Sequence, residues 1–363
     1  MKIRTAISVL VLCHSLDVTG QETPLFAQQG RVIISPVLQS WDVEDANGFS
    51  QLTIPFFVFY PASEKLGLTL RTAQAKASGD DLTTVNSLTD TQVAMTYALP
   101  DKDIVINAGI NLPTGQKELE PDEFDTSFLI SNSLFDFRAP GFGQGVNIAV
   151  GVTWARALAR NVSAGAGASV QVKGKYKPIV DFENYSPGNE LLLTGGLDYQ
   201  INTSTNASLD LIFITAGEDK LGDQTIFAAG NRIIISTQFR KTMDFDEIRL
   251  FARLRTKGKN EQIVGTELVS EEEKSTPNQL HLAGQYRIRM SDKYDLAFLA
   301  EMRTFEKTIQ LLSDARLFGF GATVFWRLTE QLQSPVTFKF TKGSFGNTDL
   351  TGFEISAGVV YSY

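Results

Sequence analysis

The chain has one cysteine, Cys13, and two histidines, His14 and His281, among its 363 residues. A disulfide framework is excluded, and so is a structural zinc site, which draws most of its ligands from Cys and His. Basic residues are outnumbered 33 to 41, for a formal net charge of −8. Nucleic-acid binding needs a basic face, and that balance supplies none. No apolar run reaches the roughly 18 residues of a membrane-spanning helix. Charged residues are nevertheless only 20% and hydrophobic ones 43%, which excludes a disordered chain.

The N-terminus has the layout of an export signal. Lys2 and Arg4 precede the apolar run Ile7-Ser8-Val9-Leu10-Val11-Leu12, and Val18-Thr19-Gly20 offers a small residue at −1 and a tolerable one at −3 for cleavage after Gly20. Leu12 stands where a lipoprotein signal needs Gly or Ala, so Cys13 is not read as a lipid anchor. The expected organisation is a signal peptide at 1–20, a short periplasmic segment at 21–30 and one structural unit at 31–363. An exported chain without disulfides must be held by something else, such as a large sheet.

What the sequence does have is alternation. In 316–328, Phe318, Phe320, Ala322, Val324, Trp326 and Leu328 alternate with Gly319, Gly321 and Thr323. A period of two means strands. Sixteen such segments occur, roughly 31–41, 48–60, 65–76, 91–99, 103–112, 144–156, 161–175, 190–201, 206–216, 230–241, 246–257, 278–290, 294–305, 316–328, 334–342 and 350–363. Connections after even-numbered segments are short, as at Pro100-Asp101-Lys102 and Ser291-Asp292-Lys293. Those after most odd-numbered ones are long and polar, as at 77–90, 113–143, 176–189, 217–229 and 258–277. Short turns on one side and long loops on the other describe an antiparallel up-and-down β-barrel in an outer membrane, with periplasmic turns and extracellular loops.

A soluble β-sandwich or solenoid is the competing reading. Three details favour the barrel. Many segments reach the ~10 residues of a tilted membrane-spanning strand. Aromatics at Trp41, Tyr60, Trp154, Tyr199 and Trp326 sit where interfacial girdles belong. The chain ends Phe353-x-Ile355-x-Ala357-x-Val359-x-Tyr361-x-Tyr363, which resembles the C-terminal strand signal of bacterial outer-membrane proteins. That signal implies the barrel assembly machinery as a partner, beside outer-membrane lipid and lipopolysaccharide.

If the apolar faces meet lipid, the alternate residues line the lumen. Arg232, Arg240, Arg249, Arg253, Arg255, Arg287, Arg289 and Arg303 then point inward from neighbouring strands, with His281, Asp295 and Glu301 among them and Asp198 and Asp210 close by. Such a wall either guides anionic or polar solutes or braces the barrel through cross-strand ion pairs. Both readings stand at this point.

Segment 113–143 is long for a simple loop. It carries Glu118, Glu120, Asp122, Glu123 and Asp125, then Phe124, Phe128, Leu129, Leu134, Phe135 and Phe137, then Pro140-Gly141-Phe142-Gly143. An acidic turn followed by apolar residues at helical spacing predicts a short helix. The segment either enters the barrel mouth as a constriction or apolar ligand platform, with Phe124, Phe128, Leu129, Phe135 and Phe137 as its surface, or packs outside on neighbouring loops. Pro36 and Pro55 fall inside the first two strands, where each removes a ladder hydrogen bond. They mark a bulge or a lateral gap, or residues 31–60 fold inward and leave fourteen strands.

Enzymatic readings fare poorly. His281 is the one histidine left after signal removal, followed by Leu282-Ala283-Gly284-Gln285 with no serine on its face. A lumen histidine bonded to its neighbours fits better than a catalytic base. No catalytic, cofactor-binding or metal-binding residues are assigned, and no cofactor is expected.

One stretch carries a family resemblance. Ile110-Asn111-Leu112-Pro113-Thr114-Gly115-Gln116-Lys117, with the alternating strand before it, resembles the outer-membrane channel family associated with the meta pathway of phenol degradation. That family is similar to the fatty-acid and toluene transport channels. The resemblance implies a monomeric barrel passing small hydrophobic or aromatic compounds into the cell. The expectation is therefore a passive outer-membrane channel for small molecules, with a non-conducting structural or surface-binding barrel as the alternative.

Overall fold

In Ala315–Arg327, Leu317 and Phe325 are buried on one face, while Phe318, Phe320, Val324 and Trp326 stand exposed on the other. Large apolar side chains turned outward in strict alternation need a nonpolar medium, and the same pattern recurs around the sheet. The computed structural model describes residues 29–363 except 45–47, 100–102, 182, 310 and 312. The expected signal peptide and most of the segment 21–30 lie outside the described residues.

The first wall strands are β1 (Arg31–Ile34 and Val37–Val43), β2 (Phe49–Pro61), β3 (Leu66–Gly79) and β4 (Leu82–Leu88 and Thr91–Ala98). β5 (Ile104–Leu112), β6 (Asn147–Ala159), β7 (Val162–Lys173), β8 (Glu190–Asn202) and β9 (Thr205–Ala216) follow. Next come β10 (Arg232–Thr242), β11 (Asp246–Lys257), β12 (Gln279–Arg289) and β13 (Tyr294–Phe305). β14 (Ala315–Arg327), β15 (Leu332–Phe345) and β16 (Thr348–Ala357 and Val359–Ser362) complete the wall. Each pairs antiparallel with the next, and β16 returns to β1 through Arg31↔Ser362 and Val37↔Ser356. The wall is a closed barrel of sixteen strands, and residues 31–61 belong to it, which removes the fourteen-strand alternative.

Among the described residues no helix is long and apolar enough to cross a membrane. Closure satisfies the backbone within the wall, the one way a sheet can sit in hydrocarbon. With its outward apolar belt the protein is an outer-membrane barrel of bacterial type. The exposed girdle is one-sided. Tyr60, Trp154, Tyr199, Tyr294, Trp326 and Tyr361 all lie toward the short-turn end. Trp41 departs from the expectation. It is buried inside, because it lies on the inward face of β1 and its indole N–H donates to the Phe135 carbonyl at 3.0 Å.

The prolines interrupt single rungs. β1 breaks at Ser35-Pro36, opposite a break in β16 at Gly358, and the ladder resumes on both sides. Across that seam Ala357 N–H donates to the Pro36 carbonyl at 3.2 Å, and Ser35 N–H to the Pro55 carbonyl at 3.3 Å. Pro55 stays within β2 opposite Ala73.

Four connections read as loops contain strands. Residues 82–88 carry β4 upward against the top of β3. Tyr185–Ser186, Glu218–Leu221, Gln224–Ala228, Glu261–Val264 and Glu267–Ser270 form a separate five-stranded sheet on the long-loop side. Runs of two to seven residues of mixed polarity carry too little alternation to announce themselves in sequence.

Candidate functional site

The pairing registers let the inner wall be read rung by rung. On one rung, Arg253 of β11 lies between Ser236 of β10 and His281 of β12, and His281 faces Arg303 of β13. The rung on the long-loop side reads Ile234, Arg255, Gln279 and Phe305. Toward the turns follow Phe251, Ala283 and Glu301, then Arg240, Arg249 and Gln285. All eight arginines of the expected wall lie on this face.

Six of them are paired with acids. Glu190 receives Arg232 and Lys173, both at 2.9 Å. Glu247 takes Arg240 at 2.5 Å and Arg249 beside it. Asp295, 3% exposed, gathers Arg287 at 2.5 Å, Arg327 at 2.6 Å and Arg289 at 4.0 Å. Glu301 holds His281 and Lys339 at 3.3 Å and Arg303 at 3.9 Å. These carboxylates stitch neighbouring strands together on the inside.

Arg253 and Arg255 differ. Among the described residues neither forms an ion pair. Arg253 donates through Nε to Ser236 Oγ at 3.4 Å and lies over the Phe251 ring, 4.8 Å from its centroid.

The segment 113–143 folds back into the barrel. Pro121–Glu123 forms one 3-10 turn, and α1 (Phe124–Ser131) runs against the tops of β3 and β4, where Thr126 Oγ1 donates to the Thr83 carbonyl at 2.6 Å. Residues 134–142 then descend as a strap along the inner faces of β1 and β2. Two glutamines hold it as a neighbouring strand would. Gln51 donates to the Ala139 carbonyl at 2.7 Å and accepts from its N–H at 3.0 Å. Gln39 accepts from Arg138 N–H at 2.8 Å and donates to the Asp136 carbonyl at 3.1 Å. Arg138 reaches Glu354 at 2.9 Å, and Arg303 reaches the Asp136 carboxylate at 3.5 Å.

Phe135 and Phe137 of the strap are buried against Trp41 and Phe49 of the wall, and Leu129 packs against that cluster. Phe124 and Phe128 do not join them. They stack on each other, centroids 6.5 Å apart, on the exposed side of α1. The five residues therefore form no single platform, because α1 turns Thr126 and Ile130 to the wall and the two phenylalanines away from it.

The loop is pinned at its base by the stretch that carries the family resemblance. The Asp90 carboxylate accepts from Asn111 Nδ2 at 2.9 Å, Gly115 N–H at 3.0 Å and Gln144 N–H at 2.8 Å. A Cβ on Gly115 would stand 2.1 Å from the Phe142 carbonyl oxygen, so only glycine fits where the ends of the loop cross.

Since the strap and its apolar cluster fill the side of β1–β4 and β13–β16, the arginine rungs border what remains of the lumen. A cavity of about 390 Å³ lies there, with Arg240, Arg249, Arg253, Arg138 and Lys339 on its wall against Asp136, Glu301 and Glu354. Phe251 and Leu299 give it an apolar side. Lys339, Glu354, Arg138, Gln39 and Gln51 were not picked out from the sequence. Inward parity would have found Lys339 and Glu354; the other three depend on where the strap lies.

Outside the membrane, burial and then the hydrogen bond it donates to Asp219 at 2.5 Å push the Tyr185 phenol up. Burial raises the Glu271 carboxyl, but hydrogen bonds from Asn260 and Ser275 outweigh it and hold the group below its ordinary range. Among the described residues no cluster of three His, Cys, Asp or Glu side chains is arranged to hold a metal ion.

No protein-family model and no curated protein matches the chain. Solved structures with a similar fold exist at very low identity. A bacterial polysaccharide outer membrane secretin is 8% identical, with a TM-score of 0.48 over 92% of this chain and 98% of that one. OpdQ of Pseudomonas aeruginosa is 8% identical, with a TM-score of 0.46 over 92% and 98%. The CymD monoaromatic hydrocarbon channel is 9% identical, with a TM-score of 0.45 over 92% and 88%. The likeness is one of barrel architecture.

Proposed function

We propose that the protein is a passive outer-membrane channel for small solutes, with a lumen that favours anions. The observation that carries this reading is the inner wall. Five cationic side chains face three carboxylates around the lumen cavity, and the half-exposed guanidinium of Arg289 and the 63% exposed Asp136 carboxylate are open to water. A sixteen-stranded barrel is wide enough to conduct unless obstructed, and here the strap occupies one side of it. Charged walls set which ions enter such a path. The hydrophobic or aromatic solutes implied by the family resemblance find apolar surface at Phe251 and Leu299, beside the cations. Transport of this kind needs a lined path and no chemistry.

The test is single-channel conductance of the refolded barrel in a planar bilayer under a salt gradient. Stable open steps with a reversal potential favouring anions are expected. A folded barrel that stays silent overturns the channel reading. The surface-binding alternative draws support from the five-stranded sheet on the long-loop side, where Val264 and Val269 are exposed. A silent barrel would leave that reading standing.

A further inference from the structure

We infer that the lumen contains an oxyanion-binding site centred on Arg253 and Arg255, which takes the carboxylate or phosphate group of a small solute. The site deepens the channel reading and rests on it for its role in transport, though its binding is testable without conduction.

The two arginines lie on one face of β11, two residues apart, so their Cα atoms are roughly 7 Å from each other. Each of the other six arginines on these strands has a carboxylate within ion-pair distance; among the described residues these two have none, the Asp136 carboxylate of the strap acting on Arg255 only from a longer range. Their nearest partners on the neighbouring strands are Ser236 and Ile234 on β10 and His281 and Gln279 on β12, none of them acidic. Lys257, two residues further along the same face, adds a third positive charge. Adjacent like charges in a half-buried wall are unfavourable, and the barrel has many acids it could have placed there.

Arg253 is also held in place. Ser236 takes its Nε, the Phe251 ring lies under its guanidinium, and His281 stands edge-on to that ring at 5.6 Å. One edge of the planar fork is thus committed to the wall, and its terminal nitrogens are left for a ligand. A guanidinium fork matches the two oxygens of a carboxylate or phosphate. The protein already sets a guanidinium against a carboxylate on the same rung, through one nitrogen at 3.5 Å. The strap brings the Asp136 carboxylate to Arg303, two strands from Arg253. Phe251 and Leu299 then provide a surface for whatever apolar group the anion carries.

The experiment is calorimetric titration of the full-length, refolded barrel with benzoate and, separately, with inorganic phosphate, at fixed chloride. Saturable binding of at least one anion is expected, weakened about tenfold or more in Arg253→Gln/Arg255→Gln. Arg253→Lys/Arg255→Lys keeps the charge without the fork and should bind with intermediate strength. Circular dichroism and thermal melting confirm that each variant is folded. Preference for benzoate assigns the site to carboxylates, and preference for phosphate to phosphate groups; either supports it. A wild-type barrel that binds neither anion, or a double-glutamine variant that binds as tightly, overturns the site. A barrel that conducts without binding loses only this inference, and one that binds without conducting loses only the channel.

Discussion

Gln51 has no exposed surface, and its amide meets both backbone groups of Ala139. An amide that donates and accepts at one residue imitates one rung of a β-ladder, so a segment without strand neighbours still has its polar backbone satisfied. Gln51→Leu keeps the volume and strands both groups. The expected cost is about 1–3 kcal/mol per unsatisfied group, read as a lowered urea midpoint with the barrel still closed. Gly115 is a second position where one side chain decides a path. Gly115→Ala puts a methyl group into the Phe142 carbonyl and should release the base of the loop, seen as faster proteolysis within 113–143 than in the unaltered barrel.

Among elements, the strap has the largest consequence for function. Deleting 117–138 removes α1 and the inward run to Phe137, and leaves Trp41 and Phe49 facing an open lumen. Single-channel conductance should rise, and an unchanged value would mean that the strap does not narrow the path. The long-loop sheet has a different sensitivity. The Glu271 carboxyl is held below its ordinary 4.5 in the folded state, so its contribution is present above that value and lost as pH falls through the lowered range. Amide protection in Glu261–Val264 and Glu267–Ser270 should therefore survive neutral and mildly acidic pH and fall on stronger acidification. On the alkaline side the sign reverses. The raised Tyr185 phenol keeps its bond to Asp219 past the ordinary tyrosine value of 10.0, and ultraviolet absorbance should show it ionising late.

At the scale of the whole molecule, the outer belt decides where the protein resides. Phe320 is 61% exposed on the outward face of β14. Phe320→Arg should destabilise the barrel folded in lipid vesicles by about 2–4 kcal/mol, measured by urea titration, if that position lies near the bilayer midplane. Closure at the termini is equally specific. Gly30 and Tyr363 exchange backbone hydrogen bonds at 2.9 and 3.0 Å, a rung that joins the residue before β1 to the residue after β16.

The period of two in segments such as 230–241 and 316–328 determined the barrel, its sixteen strands and the inward side of all eight arginines, because parity along a strand fixes the face and needs no partner. The turn and loop lengths determined which end is which. Only the tertiary structure decided that six of those arginines are neutralised and two are not, since an ion pair depends on the register between strands distant in sequence, as between Arg232 and Glu190. It also decided that Trp41 supports the strap instead of the girdle, and that Phe135 and Phe137 part company with Phe124 and Phe128. A loop inside a barrel follows whatever side chains the wall presents, and those are fixed once all sixteen strands have closed.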